Sequence, residues 1–148
     1  MTRNFDHAGF TVSDIHRSTE FYELLGFSRV RPEPVDVDTD WIKTMTGMPE
    51  AHLLIQHLSR GDGDTVLELL QYLAPRGEEL ARMRTADTGS AHVGIGVEDL
   101  ASEYERLVAA GVRFRSEPIH ITEGPFAGVR AVYAEDPDGY TVELLQQP

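Results

Sequence analysis

The stretch from Asp6 to Phe27, DHAGFTVSDIHRSTEFYELLGF, is matched without a gap by Ala91 to Val112, AHVGIGVEDLASEYERLVAAGV. The spacing is constant at 92 − 7 = 85 positions, so His7 falls on His92, Gly9 on Gly94, Val12 on Val97, Asp14 on Asp99, Glu20 on Glu105 and Gly26 on Gly111. Later in each copy an apolar run is interrupted by a single carboxylate: TVLELLQYL holds Glu68 and TVELLQQ holds Glu143. A duplicated unit with one His and one Glu per copy can assemble two imidazoles and two carboxylates. That donor set suits a divalent transition metal, whose charge the carboxylates offset. His7, Glu68, His92 and Glu143 are therefore the candidate metal ligands.

Hydrophobic periodicity reads as β-α-β-β-β, twice. Phe5 to Val12 alternates as a strand. Ser13 is the expected N-cap, with Asp14 in the first turn. Ile15, Thr19, Tyr22 and Leu25 then recur at helical spacing up to Gly26. A strand from Phe27 to Arg31 is cut by Pro32 and Pro34, and Leu53 to Leu58 and Thr65 to Leu73 follow. In the second copy, His92 to Val97 is a strand, and Leu100, Tyr104, Leu107 and Val108 mark a helix ending at Gly111. Strands are expected at Val112 to Ser116, Val129 to Ala134 and Tyr140 to Leu145, with Pro137-Asp138-Gly139 as the last turn. The expected organisation is one domain, residues 1–148, made of modules 5–73 and 91–146 joined by a linker, 74–90, with a short helix through Leu80 and Met83. The fold class is α+β.

Strand alternation sets the direction of each candidate ligand. Ala8, Phe10 and Val12 share one face and His7, Gly9 and Thr11 the other; Val93, Ile95 and Val97 are likewise opposed to His92, Gly94 and Gly96. The apolar faces pack on the helices, so the histidines point away from them, beside small residues. Taken singly, a strand His is more often a hydrogen-bonded core residue, and a strand Glu often faces solvent. The paired placement favours the metal reading, because a carboxylate within an apolar strand is costly unless it is partnered.

The chain has 148 residues, no cysteine and a formal net charge of −12. Without cysteine there are no disulfides, thiolate metal sites or Cys nucleophile. The acidic balance argues against nucleic-acid and anionic-membrane partners. With no apolar run long enough to span a bilayer and no signal-like stretch after Met1, the expected location is the cytoplasm. There is no Gly-rich phosphate loop, Ser-His-Asp grouping or basic aromatic stripe. Among the weaker candidates, His57 is a substitute ligand, and His16, His52 and His120 carry no constellation. Arg29, Arg31, Arg113, Arg115 and Arg130 either meet an anionic substrate or, more simply, pair with the acidic surface.

The pieces DHAGFTVSDIHRSTEFYELLGF, AHVGIGVEDL and EDPDGYTVELL resemble the vicinal oxygen chelate superfamily, which includes glyoxalase I, methylmalonyl-CoA epimerase, extradiol dioxygenases and bleomycin- and fosfomycin-resistance proteins. The resemblance covers nearly the whole chain. It implies paired βαβββ modules whose sheets curl around a metal-binding cavity, with His7, Glu68, His92 and Glu143 at the ligand positions. The implied cofactor is one divalent transition metal: Ni, Co, Zn, Mn or Fe. Four protein ligands are similar to glyoxalase I and the epimerase rather than to the dioxygenases, which use two His and one Glu. The implied activity is that of a lyase or isomerase of glyoxalase type acting on a small α-hydroxy-carbonyl or acyl-thioester through an enediolate. Either Glu68 or Glu143 is then the catalytic base. The alternatives are a ligand-sequestering protein and a ring-cleaving dioxygenase. Relatives pair their modules within or between chains, which implies a homodimer.

The departures bear on substrate. Bacterial glyoxalase I tends to carry Arg four residues after the first His, where this chain has Thr11, and Asn four residues after the first Glu, where it has Tyr72. Both help to hold glutathione in that family. The epimerase usually has Gln where Glu68 stands. The first module is also longer: Gly26 to Glu68 spans 68 − 26 = 42 positions and Gly111 to Glu143 spans 143 − 111 = 32. In the excess, Trp41, Ile42, Met45 and Met48 read either as a helix over a pocket mouth or as a surface excursion with core anchors.

Overall fold

The computed structural model describes residues 5–61, 65–78 and 83–148. The chain divides into two compact units, Met1–Leu80 and Ala81–Pro148, and each holds one five-stranded sheet. The class is α+β, as the sequence implies.

In the first unit, β1 (His7–Thr11), α1 (Ile15–Leu24), β2 (Ser28–Arg29), β3 (Val35–Val37), α2 (Asp40–Thr46), β4 (His52–Ser59) and β5 (Val66–Ala74) follow in order. The sheet order is β1-β5-β4-β2, with β3 also on β4. β1 runs parallel to β5, and the other pairs are antiparallel. The second unit has β6 (His92–Gly96), α3 (Leu100–Ala109), β7 (Arg113–Phe114), β8 (Ile119–His120), β9 (Arg130–Glu135) and β10 (Thr141–Gln146), ordered β6-β10-β9-β7 with β8 on β9. Thus β1 corresponds to β6, α1 to α3 and β5 to β10.

Three expectations are corrected. The cap of the first helix is Asp14, not Ser13: the Asp14 carboxylate accepts from the backbone N–H of His16 and Arg17, both at 3.0 Å. Asp99 does the same for Ala101 and Ser102. A carboxylate is both acceptor and charge at the positive end of the helix dipole, so it outcompetes the preceding hydroxyl; Ser13 instead accepts from the Arg17 guanidinium at 2.8 Å. The expected strands at Phe27–Arg31 and Val112–Ser116 shrink to two residues each. In the first, Pro32 and Pro34 lack the N–H that a ladder needs. Finally, β3 and β8 were not expected, because segments of three and two residues carry no period. The expected helix through Leu80 and Met83 falls on 79–82, outside the described residues, and Met83 itself is not helical.

Helix and sheet meet as the alternation predicts. Phe10 is buried, with its ring 6.3 Å from that of the fully buried Tyr22, which also meets Phe21 and Phe27 edge-on. α1 and α3 are each tied to their sheet by a glutamine three residues beyond the candidate glutamate. Gln71 Oε1 accepts from Ile15 N at 2.9 Å, and Gln146 Oε1 accepts from Leu100 N at 3.0 Å. An odd offset along a strand puts Gln and Glu on opposite faces, so the helix-facing glutamine fixes the glutamate on the other face. No described helix is long and apolar enough to cross a membrane.

The excess segment contains α2. Ile42 is buried with Val37, Ala51 and Leu53, and Met48, Ile55, Leu70 and Tyr72 pack against them, while Trp41 and Met45 stay exposed. Leu53 pairs with Tyr72 and Ile55 with Leu70, in the same register that pairs His57 with Glu68. Alternate residues share a face, so α2 is anchored on the Glu68 face of the sheet, on the side of Leu70 and Tyr72.

The Arg17 N–H holds the Asp14 carboxyl below its ordinary value, with the His16 N–H adding to this and burial opposing it. A depressed folded value contributes stability above the unfolded value of about 3.9, which is lost as pH falls through the folded one. Asp14→Ala is therefore expected to cost about 1 kcal/mol in urea unfolding at pH 7, and the gap should close as the pH drops below about 4. An equal loss at both pH values would refute the charge-assisted cap.

Candidate functional site

Each unit brings its His and its Glu together. In the first, Gly9 of β1 pairs with Glu68 of β5, and His7 lies one alternation earlier on the same face. His7 Nε2 stands 3.6 Å from Glu68 Oε1. In the second, Gly94 of β6 pairs with Glu143 of β10, and His92 Nε2 stands 3.3 Å from Glu143 Oε2. The glycines leave room for the carboxylates to lie over the neighbouring strand: a Cβ at Gly9 would come within 3.6 Å of Glu68 Oε1, and one at Gly94 within 3.8 Å of Glu143 Oε2. The glutamate side chains are 16% and 22% exposed, screened yet reachable.

The surroundings of the two pairs differ. In the first unit, Asp6 Oδ1 lies 2.8 Å from His7 Nδ1, and His57 Nε2 lies 2.7 Å from Glu68 Oε2. The hydrogen bond to Asp6 holds the His7 imidazole above its ordinary value; partial burial opposes this, and the charges of Glu68 and Asp6 add to it. At the Asp6 position the second copy has Ala91, and opposite Glu143 it has Tyr133 rather than a histidine. Tyr133 tilts against the His92 ring at 5.7 Å between centroids. Glu143 is placed by its hairpin instead. The buried Asp136 accepts from Asp138 N at 3.0 Å and Tyr140 N at 2.8 Å, and Gly139 turns the chain at φ 92°.

Among the described residues, no group of three or more His, Asp or Glu gathers as a metal cluster; the candidates form two pairs, one in each unit. Of the weaker candidates, His57 sits on the far oxygen of Glu68. His52 bonds Asp36 at 2.7 Å, a partner that sequence reading missed. Arg29 pairs with Glu23, while Arg113 and Arg115 flank Glu135 at 3.6 and 3.5 Å. Arg115 also donates to Thr141 at 3.0 Å. Tyr72 is spent on packing beneath α2. Asp6, Tyr133 and the two glutamines went unnoticed in the sequence; only the shared Glu-x-x-Gln spacing offered a signal for the last.

Residues 4–144 match the family model of the Glyoxalase/Bleomycin resistance protein/Dioxygenase superfamily, and the chain belongs to that family. A 2-epi-5-epi-valiolone epimerase from Actinomyces sp is 33% identical over 144 residues, which cover 96% of this chain and 78% of the relative. A probable chloroplastic lactoylglutathione lyase of Arabidopsis thaliana is 30% identical over 98% of this chain, which spans only 36% of that protein. In fold, the chain is similar to the crystal structure of a glyoxalase family protein from Bacillus cereus, with a TM-score of 0.85 over 99% of this chain and 95% of that one, at 20% identity.

The Asp6–His7 contact has a direct readout. In metal-free protein, His7 is expected to titrate above an ordinary histidine, and Asp6→Asn should move it back down; NMR titration of the ring protons measures both. A His7 titration unmoved by the substitution would remove Asp6 from the site.

Proposed function

We propose that this protein is a metal-dependent lyase or isomerase that moves a proton beside a carbonyl, with His7, Glu68, His92 and Glu143 holding one divalent transition metal. The observation that carries the reading is the contact within each pair. A neutral His7 that donates its Nδ1–H to Asp6 presents the Nε2 lone pair beside Glu68 Oε1 at 3.6 Å, two acceptors that a shared cation can bind. Two donors that each bind one tetrahedral cation at about 2.0–2.2 Å stand about 3.3–3.5 Å apart, close to the separations in both pairs. The neutral-imidazole and carboxylate set suits Ni, Co, Zn, Mn or Fe.

When bound, the cation polarises the substrate carbonyl as a Lewis acid. The chain supplies the rest. Glu143, with His92 as its partner, is the carboxylate free to shift, take the α-proton and return it at the same or a neighbouring position. Glu68 is held by His57. The reaction is redox-neutral, and relatives named as lyases and an epimerase support that class. The substrate we assign is a small α-hydroxy-carbonyl or acyl-thioester compound. Tyr72 lies among the residues packed under α2, and Thr11 stands where bacterial glyoxalase I tends to carry Arg. The glutathione hemithioacetal of methylglyoxal is therefore expected to be turned over poorly. The working unit in this reading is a homodimer, which sedimentation at high concentration checks; a clean monomer would refute it.

The central test is α-proton exchange in deuterated water across a panel of hydroxy-ketones and acyl-thioesters, with and without metal. Exchange should need metal and ignore removal of oxygen. Glu143→Gln should lower the rate by about 10²- to 10⁴-fold. Alanine at His7, Glu68, His92 or Glu143 should each sharply lower bound metal. Normal metal binding in three of those four variants would sink the quartet, and stoichiometric oxygen uptake with a catechol would sink the chemistry.

A further inference from the structure

Glu68 is a carboxylate whose two oxygens face two different histidines. Oε1 faces His7 Nε2 at 3.6 Å, and Oε2 lies 2.7 Å from His57 Nε2. An ionised carboxylate only accepts, so the His57 Nε2–H must donate. His57 and Glu68 are direct cross-strand partners in the β4–β5 ladder, flanked by the Leu58–Leu67 and Gln56–Leu69 pairs, whose residues are all buried. The backbone therefore holds the donor and its acceptor in fixed register. Glu143 has Tyr133 opposite it in that position.

We propose that His57 is a positioning residue. By occupying Oε2, it makes Glu68 a one-oxygen metal donor through Oε1 and keeps this glutamate on the metal while Glu143 moves. This rests on the metal site proposed above. A carboxylate bound through one oxygen, with the other hydrogen-bonded, has its orientation set before the cation arrives, so less ordering is left for the binding step. Without the imidazole, Glu68 is free to rotate about its last bond or to chelate through both oxygens. Its corresponding freedom to leave the metal would give the site two equivalent carboxylates instead of one fixed and one mobile. His57 is half-exposed, so replacing its ring opens no buried cavity.

The test uses the full chain stripped of metal and titrated with Co(II) and Mn(II) against a competing chelator. His57→Phe, which keeps a planar ring and loses the donor, is expected to weaken binding about 10- to 100-fold. His57→Gln, which restores an N–H donor, should recover most of that affinity. The visible Co(II) spectrum of saturated His57→Gln should match wild type, whereas that of His57→Phe should shift as the coordination of Glu68 changes. The metal-free melting temperature should stay at the wild-type value in His57→Gln and fall in His57→Phe only by the few degrees that one lost hydrogen bond costs, which separates positioning from general structural damage. Wild-type affinity in His57→Phe overturns the proposal and leaves the quartet standing. A Co(II) spectrum altered as much in His57→Gln as in His57→Phe also overturns it, since His57 would then be a ligand itself. Failure of the wild type to bind either metal overturns the quartet and the proposal together.

Discussion

A carboxylate on a strand with apolar neighbours has to be given a partner, and the rest of each unit is arranged around that requirement. Glu68 and Glu143 sit between leucines and valines whose side chains are mostly buried against the helix. On that face an unpaired charge would have no water. Alternation turns the glutamate to the opposite face, and the glutamine three residues on faces the helix and bonds its first N–H. A glycine in the neighbouring parallel strand leaves the space in which the carboxylate meets its histidine. Moving any of these by one residue would bury the charge or expose the core, so the register of β1 on β5, and of β6 on β10, is set by the same residues that form the candidate site.

Duplication supplies the two pairs, and divergence makes them unequal. In the first unit both partners are held from outside the pair: Asp6 stands on His7 and His57 on Glu68. In the second, an alanine and a tyrosine occupy those places, and the position of Glu143 depends on the Asp136-centred turn. An outer carboxylate or imidazole fixes the orientation of the group it touches. A carboxylate without one keeps the freedom that proton transfer requires.

The two sheet faces also diverge beyond the pairs. On the first, the row past Glu68 is apolar and is closed by α2 through Ile42, Leu70 and Tyr72. On the second, the row that contains His92 continues through Thr141 to Glu135 and Arg113, with Arg115 bonded across it, whereas the equivalent row of the first runs from His7 through Val66 and Ser59 to Ser28. Tyr72 packs against the cluster that contains Ile42, where an amide would leave its polar atoms facing apolar neighbours.

Most of the fold was legible in the sequence because it is written in short-range periods. Alternation in the strands, helical spacing from Ile15 to Leu25 and glycines closing both helices are local signals. The 85-residue repeat doubles each of them, and this marks both His/Glu pairs. Whatever depends on side chains meeting across strands was invisible. His57 reads as a spare histidine until the β4–β5 register sets it on Glu68, and β3 and β8 are too short to show a period. The cap passed from Ser13 to Asp14 because the dipole of a folded helix favours the charge. The extra helix could have been a lid or a surface excursion by sequence, since Trp41, Ile42 and Met45 are equally apolar on paper. Only packing decides which of them is buried, because burial belongs to the neighbours a residue acquires and not to the residue itself.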